Sequence, residues 1–337
     1  MSFRASWIAV QGVGRDVMLK RLGLIETGDI DFSGDATLAC VELANGWLLV
    51  RSDDFDFANP DRLAVVSEGV EAIGVQASSV VMVSAAQGYR DGEQAWSIEH
   101  DPDKGRRSLE TTGELPAPFA AIRDRLMKEQ AEHGGEQVDY LFDASLALSA
   151  AICGFRADEP SPTPGTLWRE VVPVASGKAA EKQAERRAAG ERLRARVEGE
   201  VYARAAELGF EPMSAHPQFY RFYPNAGSNA FVRLREPWSD GLQILWAYRD
   251  GQPLINIGFF VRRGAEPRYG GAGSARTDLR KLSLLEQFTG PKADPAALDR
   301  TILQAKELLV LVDQHLKGAP SGPRVRPAEF LDEAQPR

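Results

Sequence analysis

TLACVELANGWLLVRS, residues 37 to 52, decides how the chain is read. Two β-rich runs flank Ala44-Asn45-Gly46, and Asn-Gly is a strong hairpin signal because both residues tolerate positive φ. Strands over 37–43 and 47–52 are therefore expected to pair as antiparallel neighbours. That pairing argues against a βαβ unit, and so against a dinucleotide-binding reading of QGVGRD (11–16). Its Gly12-x-Gly14 sits between a strand and a helix, but the third glycine of the fingerprint is missing.

Upstream, SWIAVQG (6–12) reads as a strand, and GRDVMLKRLGL (14–24) carries Val17, Met18 and Leu22 at helical spacing, followed by an apolar pair. Downstream, Pro60 opens a short helix, PDRLAVVSEG, with Asn59 as N-cap and Asp61 favourable at the positive end of the dipole. Strands follow at EAIGVQAS, VVMVSAAQ and QAWSIEH, the last two joined through Arg90-Asp91-Gly92. Helices close the segment at PAPFAAIRDRLMKEQ and DYLFDASLALSAAICG. Strands in runs, without strict alternation with helices, define an α+β fold in which helices cover a mainly antiparallel sheet.

At 337 residues the chain exceeds the usual size of one core, so two such domains are expected. Residues 1–156 form the first. Residues 157–177, opening on DEPSPTPGT, read as a Pro/Ser-rich linker. Residues 178–318 form the second, which begins with a long charged helix. Its apolar stripe emerges only late, through Leu193, Val197, Val201, Ala205 and Leu208, and Gly209 is its C-cap. A meander follows: QFYRFYP, NAFVRLRE, LQILWAYRD and PLINIGFFVRR, with a turn at 249–252. The closing helices are TDLRKLSLLEQFTG and PAALDRTILQAKELLVLVDQHLKG, capped by Thr277, Asp294 and Gly318. Residues 319–337 are expected to be a flexible tail.

Charge is uneven. Residues 1–156 hold 14 Lys+Arg against 25 Asp+Glu, a net of −11, within a chain of net charge −8. An acidic surface repels phosphate backbones and disfavours dedicated nucleic-acid binding by the first domain. No apolar run approaches the roughly 18 residues that span a bilayer, and MSFRASWIAVQG lacks the apolar core of a signal peptide. The two cysteines, Cys40 and Cys153, lie in apolar surroundings with no metal-ligand spacing and read as buried thiols. A cytoplasmic location is expected on both counts.

Four stretches carry chemistry-bearing residues. Asp53, Asp54 and Asp56 could hold a divalent cation, but lack the spacing of a calcium loop. Asp and Asn are also what a strand-to-helix turn requires, and that reading is preferred. His100, between Glu99 and Asp101 in IEHDPDKGRR, is the best-placed catalytic candidate of four histidines; the alternative is a charged turn. RRGAEPRYGGAGSARTDLRK (262–281) sets Arg262, Arg263, Arg268 and Arg276 around Gly270, Gly271, Gly273 and Ser274. It reads as a glycine loop leading into a helix, an arrangement that binds anions. The aromatics from Phe219 to Tyr248, interleaved with Arg221, Arg233 and Arg235, could stack bases, but alternation along strands favours core packing.

No cofactor or metal motif is present, and no family signature is recognised. The expected function is non-catalytic: binding of another macromolecule, a protein, through the acidic first domain, as an immunity or antitoxin-like protein would. The alternative is an enzyme acting on a small or phosphorylated substrate, with its anion site at 270–274. A third possibility is self-association through Leu193, Val197 and Val201.

Overall fold

The computed structural model describes residues 4–31, 36–105, 108–133, 138–158, 167–216, 219, 228–235, 238–249, 252–263, 269–276, 296–318 and 326–327. Helices and strands are mixed, with a large antiparallel sheet and a smaller one. The chain divides into two compact units, Met1–Ile25, Ser33–Thr163 and Trp168–Val174 against Glu26–Phe32, Pro164–Leu167 and Ala175–Arg337.

The large sheet contains β1 (Arg4–Gln11), β2 (Leu24–Ile30), β3 (Leu38–Glu42), β4 (Trp47–Ser52), β5 (Glu71–Ser78), β6 (Val83–Arg90), β7 (Glu93–His100), β8 (Glu110–Gly113) and β9 (Arg169–Pro173), in the order β2-β9-β3-β4-β1-β5-β6-β7-β8. The Asn45-Gly46 hairpin forms as its sequence dictates, with Gly46 at φ 84° and Cys40 opposite Val50. Asn45 has a second role. Its Nδ2 donates to the Cys153 carbonyl at 2.9 Å, satisfying an acceptor at the end of a helix that packs on the sheet.

Helices cover both faces of this sheet, which explains why Trp7, Ile8, Ala9 and Val10 are all fully buried despite pointing alternately up and down. On one face Trp7, Leu49, Val75 and Ile98 meet α3 (Phe119–His133) and α4 (Asp143–Cys153) through Leu126, Leu146 and Leu148. On the other, Ile8, Val10 and Val50 meet Met18 of α1 (Arg15–Arg21) and Leu63 of α2 (Pro60–Val66). Each fully buried large side chain contributes about 1.5–3 kcal/mol. Trp7 also donates from Nε1 to Ser149 Oγ at 3.0 Å, and Ser149 passes its own hydrogen to the Phe155 carbonyl at 2.9 Å, so no polar atom of that relay is stranded.

In the large sheet three strands arise where none was expected: β2, β9 and the short β8, which pairs with β7. β2 falls on LIETGDI, whose buried positions are Leu24, Thr27 and Ile30, a spacing of three that hides the alternation of a strand. Gly28, at φ 91°, bends it there, and any side chain would meet the Arg187 carbonyl. β9 lies inside the expected 157–177 linker: Ala39 and Cys40 of β3 pair with Glu170 and Arg169, and Val171 enters the core.

The second unit carries β10 (Glu211–Pro212), β11 (Ala230–Arg235), β12 (Trp238–Arg249), β13 (Gln252–Arg263), β14 (Tyr269–Arg276) and β15 (Arg326–Pro327) as a six-stranded antiparallel sheet in sequence order. One face is covered by a helical run, α5 (Lys178–Arg196), a π turn (Val197–Val201) and α6 (Tyr202–Glu207), and by α7 (Ala297–Leu316). The apolar residues Leu193, Val197, Val201 and Ala205 repeat every four positions. In a regular α-helix each such step advances the stripe about 40° around the axis. The π turn, with its wider winding, takes up that drift and keeps all four buried against Phe231, Leu242 and Ile257. These side chains are thus core, and self-association through them has no support.

The end of α7 is held by charge. Arg233 on β11 reaches Asp240 on β12 at 2.7 Å and Asp313 on α7, while Arg235 binds Asp240 at 2.6 Å and Lys317 binds Asp313 at 2.8 Å. Arg233 also donates to the Leu208 carbonyl at 2.8 Å and stacks 4.4 Å from the Phe210 ring centre. Asp240 is fully buried. Cross-strand glycine–aromatic pairs recur in both units: the Trp96 ring lies over Gly88, and the Phe260 ring over Gly241.

The expected flexible tail contributes β15, which pairs with Gly273 and Ser274. The N-cap of α7 is Ala296, with no side-chain hydrogen bond. Thr277, Asp294, most of QFYRFYP and the TDLRKLSLLEQFTG helix fall outside the described residues.

Candidate functional site

The residues singled out in the first unit emerge from one end of the large sheet. Asp53, Asp54 and Asp56 follow β4, and His100 ends β7. The three aspartates are exposed. Asp54 caps a 3-10 turn, Phe55–Ala58, its Oδ1 accepting from the Asp56 amide at 3.1 Å. The same turn is fastened to β1, since Ser6 Oγ donates to the Asp54 carbonyl and accepts from the Ala58 amide. Asn59 caps α2 by accepting from Arg62 N at 3.0 Å. These are the local bonds a strand-to-helix turn requires. Among the described residues no group of three or more His, Cys, Asp or Glu side chains is placed to hold a metal ion.

His100 is fully buried. Its Nδ1 lies 2.7 Å from the Ser108 carbonyl and its Nε2 lies 2.9 Å from Asp139 Oδ2. A carbonyl only accepts, so Nδ1 is the donor to Ser108. The other Asp139 oxygen accepts from the Leu141 amide at 3.1 Å, at the approach to α4. The sequence neighbours take no part: Glu99 pairs with Lys104 at 3.0 Å, and Asp101 caps its own turn through the Asp103 amide. Lys104 also binds Glu110, and these two hydrogen bonds, that to Glu110 the larger, raise its pKa. Arg106 and Arg107 fall outside the described residues. Both ring nitrogens of His100 are engaged within the protein, and the ring has no surface from which to reach a substrate. Asp139, 39 positions away, is the partner that local sequence could not indicate.

In the second unit the glycine-rich segment is a strand. Gly271, Gly273 and Ser274 of β14 stand opposite Val261, Phe259 and Gly258 of β13. Arg262 and Arg263 end β13, and Arg276 ends β14 opposite Asn256. Gly270 lies in the same strand, and Arg268 is outside the described residues. An antiparallel ladder commits amides to pairing, unlike the free amides of a loop that cradles an anion. Nor is the aromatic group a base-stacking platform where it is described. Phe219, Phe231 and Trp246 are buried, and Arg233 and Arg235 are bound to Asp240.

Both cysteines are buried free thiols. Burial pushes Cys153 above its usual value, against opposing hydrogen bonds from Ser149 and the backbone. Among the described residues no helix is long and apolar enough to cross a membrane. No family model, curated protein or solved structure matches the chain.

Proposed function

We propose that the chain is a non-catalytic binding protein whose acidic first unit engages a basic protein partner. The observation that carries this reading is unopposed surface charge. Asp53, Asp56, Asp61, Glu68 and Glu93 are exposed and form no ion pair among the described residues. Unopposed carboxylates repel one another and add little to folding, whereas they accelerate encounter with a basic partner and reject acidic ones. The buried, doubly bonded His100 lends a catalytic reading little support, and the strand at 269–276 lends little to the anion-site alternative.

A protein that neutralises a basic toxin or effector, as an immunity protein or antitoxin does, has this kind of surface. The test is affinity capture with the full chain from its native lysate at low and high salt. The same capture is run with Asp53, Asp56 and Asp61 replaced by Asn. A stoichiometric protein partner that is lost at high salt and depleted by the triple variant is expected. A bait that recovers no protein at low salt would overturn the proposal.

A further inference from the structure

We infer that the turn between β5 and β6 is the docking knob, and that its partner is a protein presenting an apolar socket rimmed by Lys or Arg. This rests on the binding reading above and narrows it to one surface. The strands end at the pair Ser78 and Val83, leaving Ser79 to Met82 as the turn. Val80 is 70% exposed, the highest value among the exposed large apolar side chains of the described residues, and Val81 is 58% exposed. Turns are normally built from Gly, Asn, Asp, Ser and Pro, which supply the required backbone shape or hydrogen bonds. Here the left-handed position falls on Met82, at φ 55°. The only other described non-glycine residue with positive φ is Asp91, a type that tolerates it. A left-handed methionine costs about 1–2 kcal/mol. Its side chain packs against the core, which fixes the turn and leaves the two valines pointing away from it. Folding gains nothing from exposing them. An exposed apolar pair held in place at a cost is better explained by contact with a partner.

The sheet order supplies the charge around this knob. β4, β1, β5, β6 and β7 lie side by side, with Ser52 opposite Ser6, Arg4 opposite Ser78, and Ser84 opposite His100. The Asp53–Asp56 turn therefore leaves the sheet on one side of the knob, and Asp101 and Asp103 leave it on the other. Of the described cations at this end, Lys104 is bound by Glu99 and Glu110, while Arg4 and Arg62 lie 5.7 Å and 5.0 Å from the Phe55 and Phe57 ring centres and keep their charge, fewer than the carboxylates of Asp53, Asp54, Asp56, Asp101 and Asp103 around them. An apolar centre within a charged rim is how protein interfaces are organised. Carboxylates on both sides repel nucleic acid and anionic lipid alike, which leaves a basic protein as the complementary surface.

The test replaces Val80 with photoreactive p-benzoylphenylalanine in the full chain, expressed in its native cells. Val65, 45% exposed on α2, is the control; α2 leads to Ser67, which binds Asp91 at the opposite sheet end. Irradiation is expected to give one protein adduct at 80 and none at 65. The adducted peptide should carry Lys or Arg beside the cross-link. The yield should fall at least tenfold when Asp53, Asp56 and Asp103 become Asn, none of which caps a turn with its own side chain. If no adduct forms at 80 while the salt-sensitive partner is still captured, the knob assignment fails and the binding reading survives. If neither appears, both fail. An adduct whose yield is unchanged by neutralisation, or one formed with lipid, overturns the basic-rim assignment.

Discussion

Replacing Asp240 with Asn should loosen α7 from the second sheet, and the size of the effect follows from who is left unpaired. The fully buried Asp240 carboxylate takes hydrogen bonds from Nε and Nη2 of both Arg233 and Arg235. Asn keeps the shape, removes the charge and turns an NH₂ toward those donors. The Arg235 side chain is 34% exposed and can swing into water, whereas that of Arg233 is only 10% exposed and cannot. Arg233 keeps Asp313, so its charge is not wholly orphaned. Breaking a buried pair costs about 3–5 kcal/mol, and the remaining partner places this case near the lower figure. At about 1.4 kcal/mol per tenfold, amide hydrogen exchange at Leu308, Leu309 and Val312 should accelerate roughly a hundredfold. The double variant Arg233→Met with Asp240→Leu should not recover that loss, since buried Asp313 would keep only Lys317 and the Leu208 carbonyl would lose its donor. An Asp240→Asn rate within about threefold of the parent, under roughly 0.7 kcal/mol, would refute the reasoning.

Three further outcomes are expected. Burial would raise Asp313, but hydrogen bonds from Lys317 and Arg233 outweigh it and hold its pKa below the usual 3.8. Its contribution is then fully present above pH 3.8 and is lost as pH falls through the lowered value, so Asp313→Asn should flatten the acid limb of the α7 exchange profile. A limb of unchanged slope contradicts the assignment. Cys40 and Cys153 should resist a water-soluble maleimide in the native protein and react together on unfolding, because each is at most 2% exposed; native labelling within minutes would show otherwise. Gly88→Ala should displace Trp96, whose Nε1 lies 2.0 Å from where the new methyl would sit. The expected cost is about 1–3 kcal/mol, as for other overpacked sites, read by thermal unfolding together with Trp fluorescence. An unchanged emission maximum and melting temperature would mean that the ring does not cover that glycine.

What could be read from sequence was local. Asn45-Gly46, Pro60 after Asn59, and Gly154 after α4 each mark a boundary through their own backbone preferences, and the structure places turns and caps there. β2 and β9 escaped because the evidence for each is long-range. Leu24, Thr27 and Ile30 do not alternate, and a single buried Val171 in a Pro-rich neighbourhood is too little to announce a strand. The site residues divide the same way. The capping role of Asp54 is written in the residues beside it. By contrast, His100–Asp139 and Arg233–Asp313 join positions 39 and 80 apart, which only a folded chain brings together. The knob went unread because Val80 and Val81 look like the continuation of a strand; only the register shows that they lie beyond its end.

The π turn at Val197–Val201 amounts to one surplus residue stored in the helical run. Gly199, exposed and with open space where a side chain would stand, is the residue that could be spared. Without it the buried positions that now repeat every four would be spaced four, three and four, which is the rhythm of an ordinary α-helix. In the history of such a chain this is a place where a codon can be gained or lost while the residues facing the sheet stay the same. Most helices would answer a one-residue deletion by rotating every side chain beyond it by about 100°. This one has the rotation already stored, so length variation here should leave the second core in register.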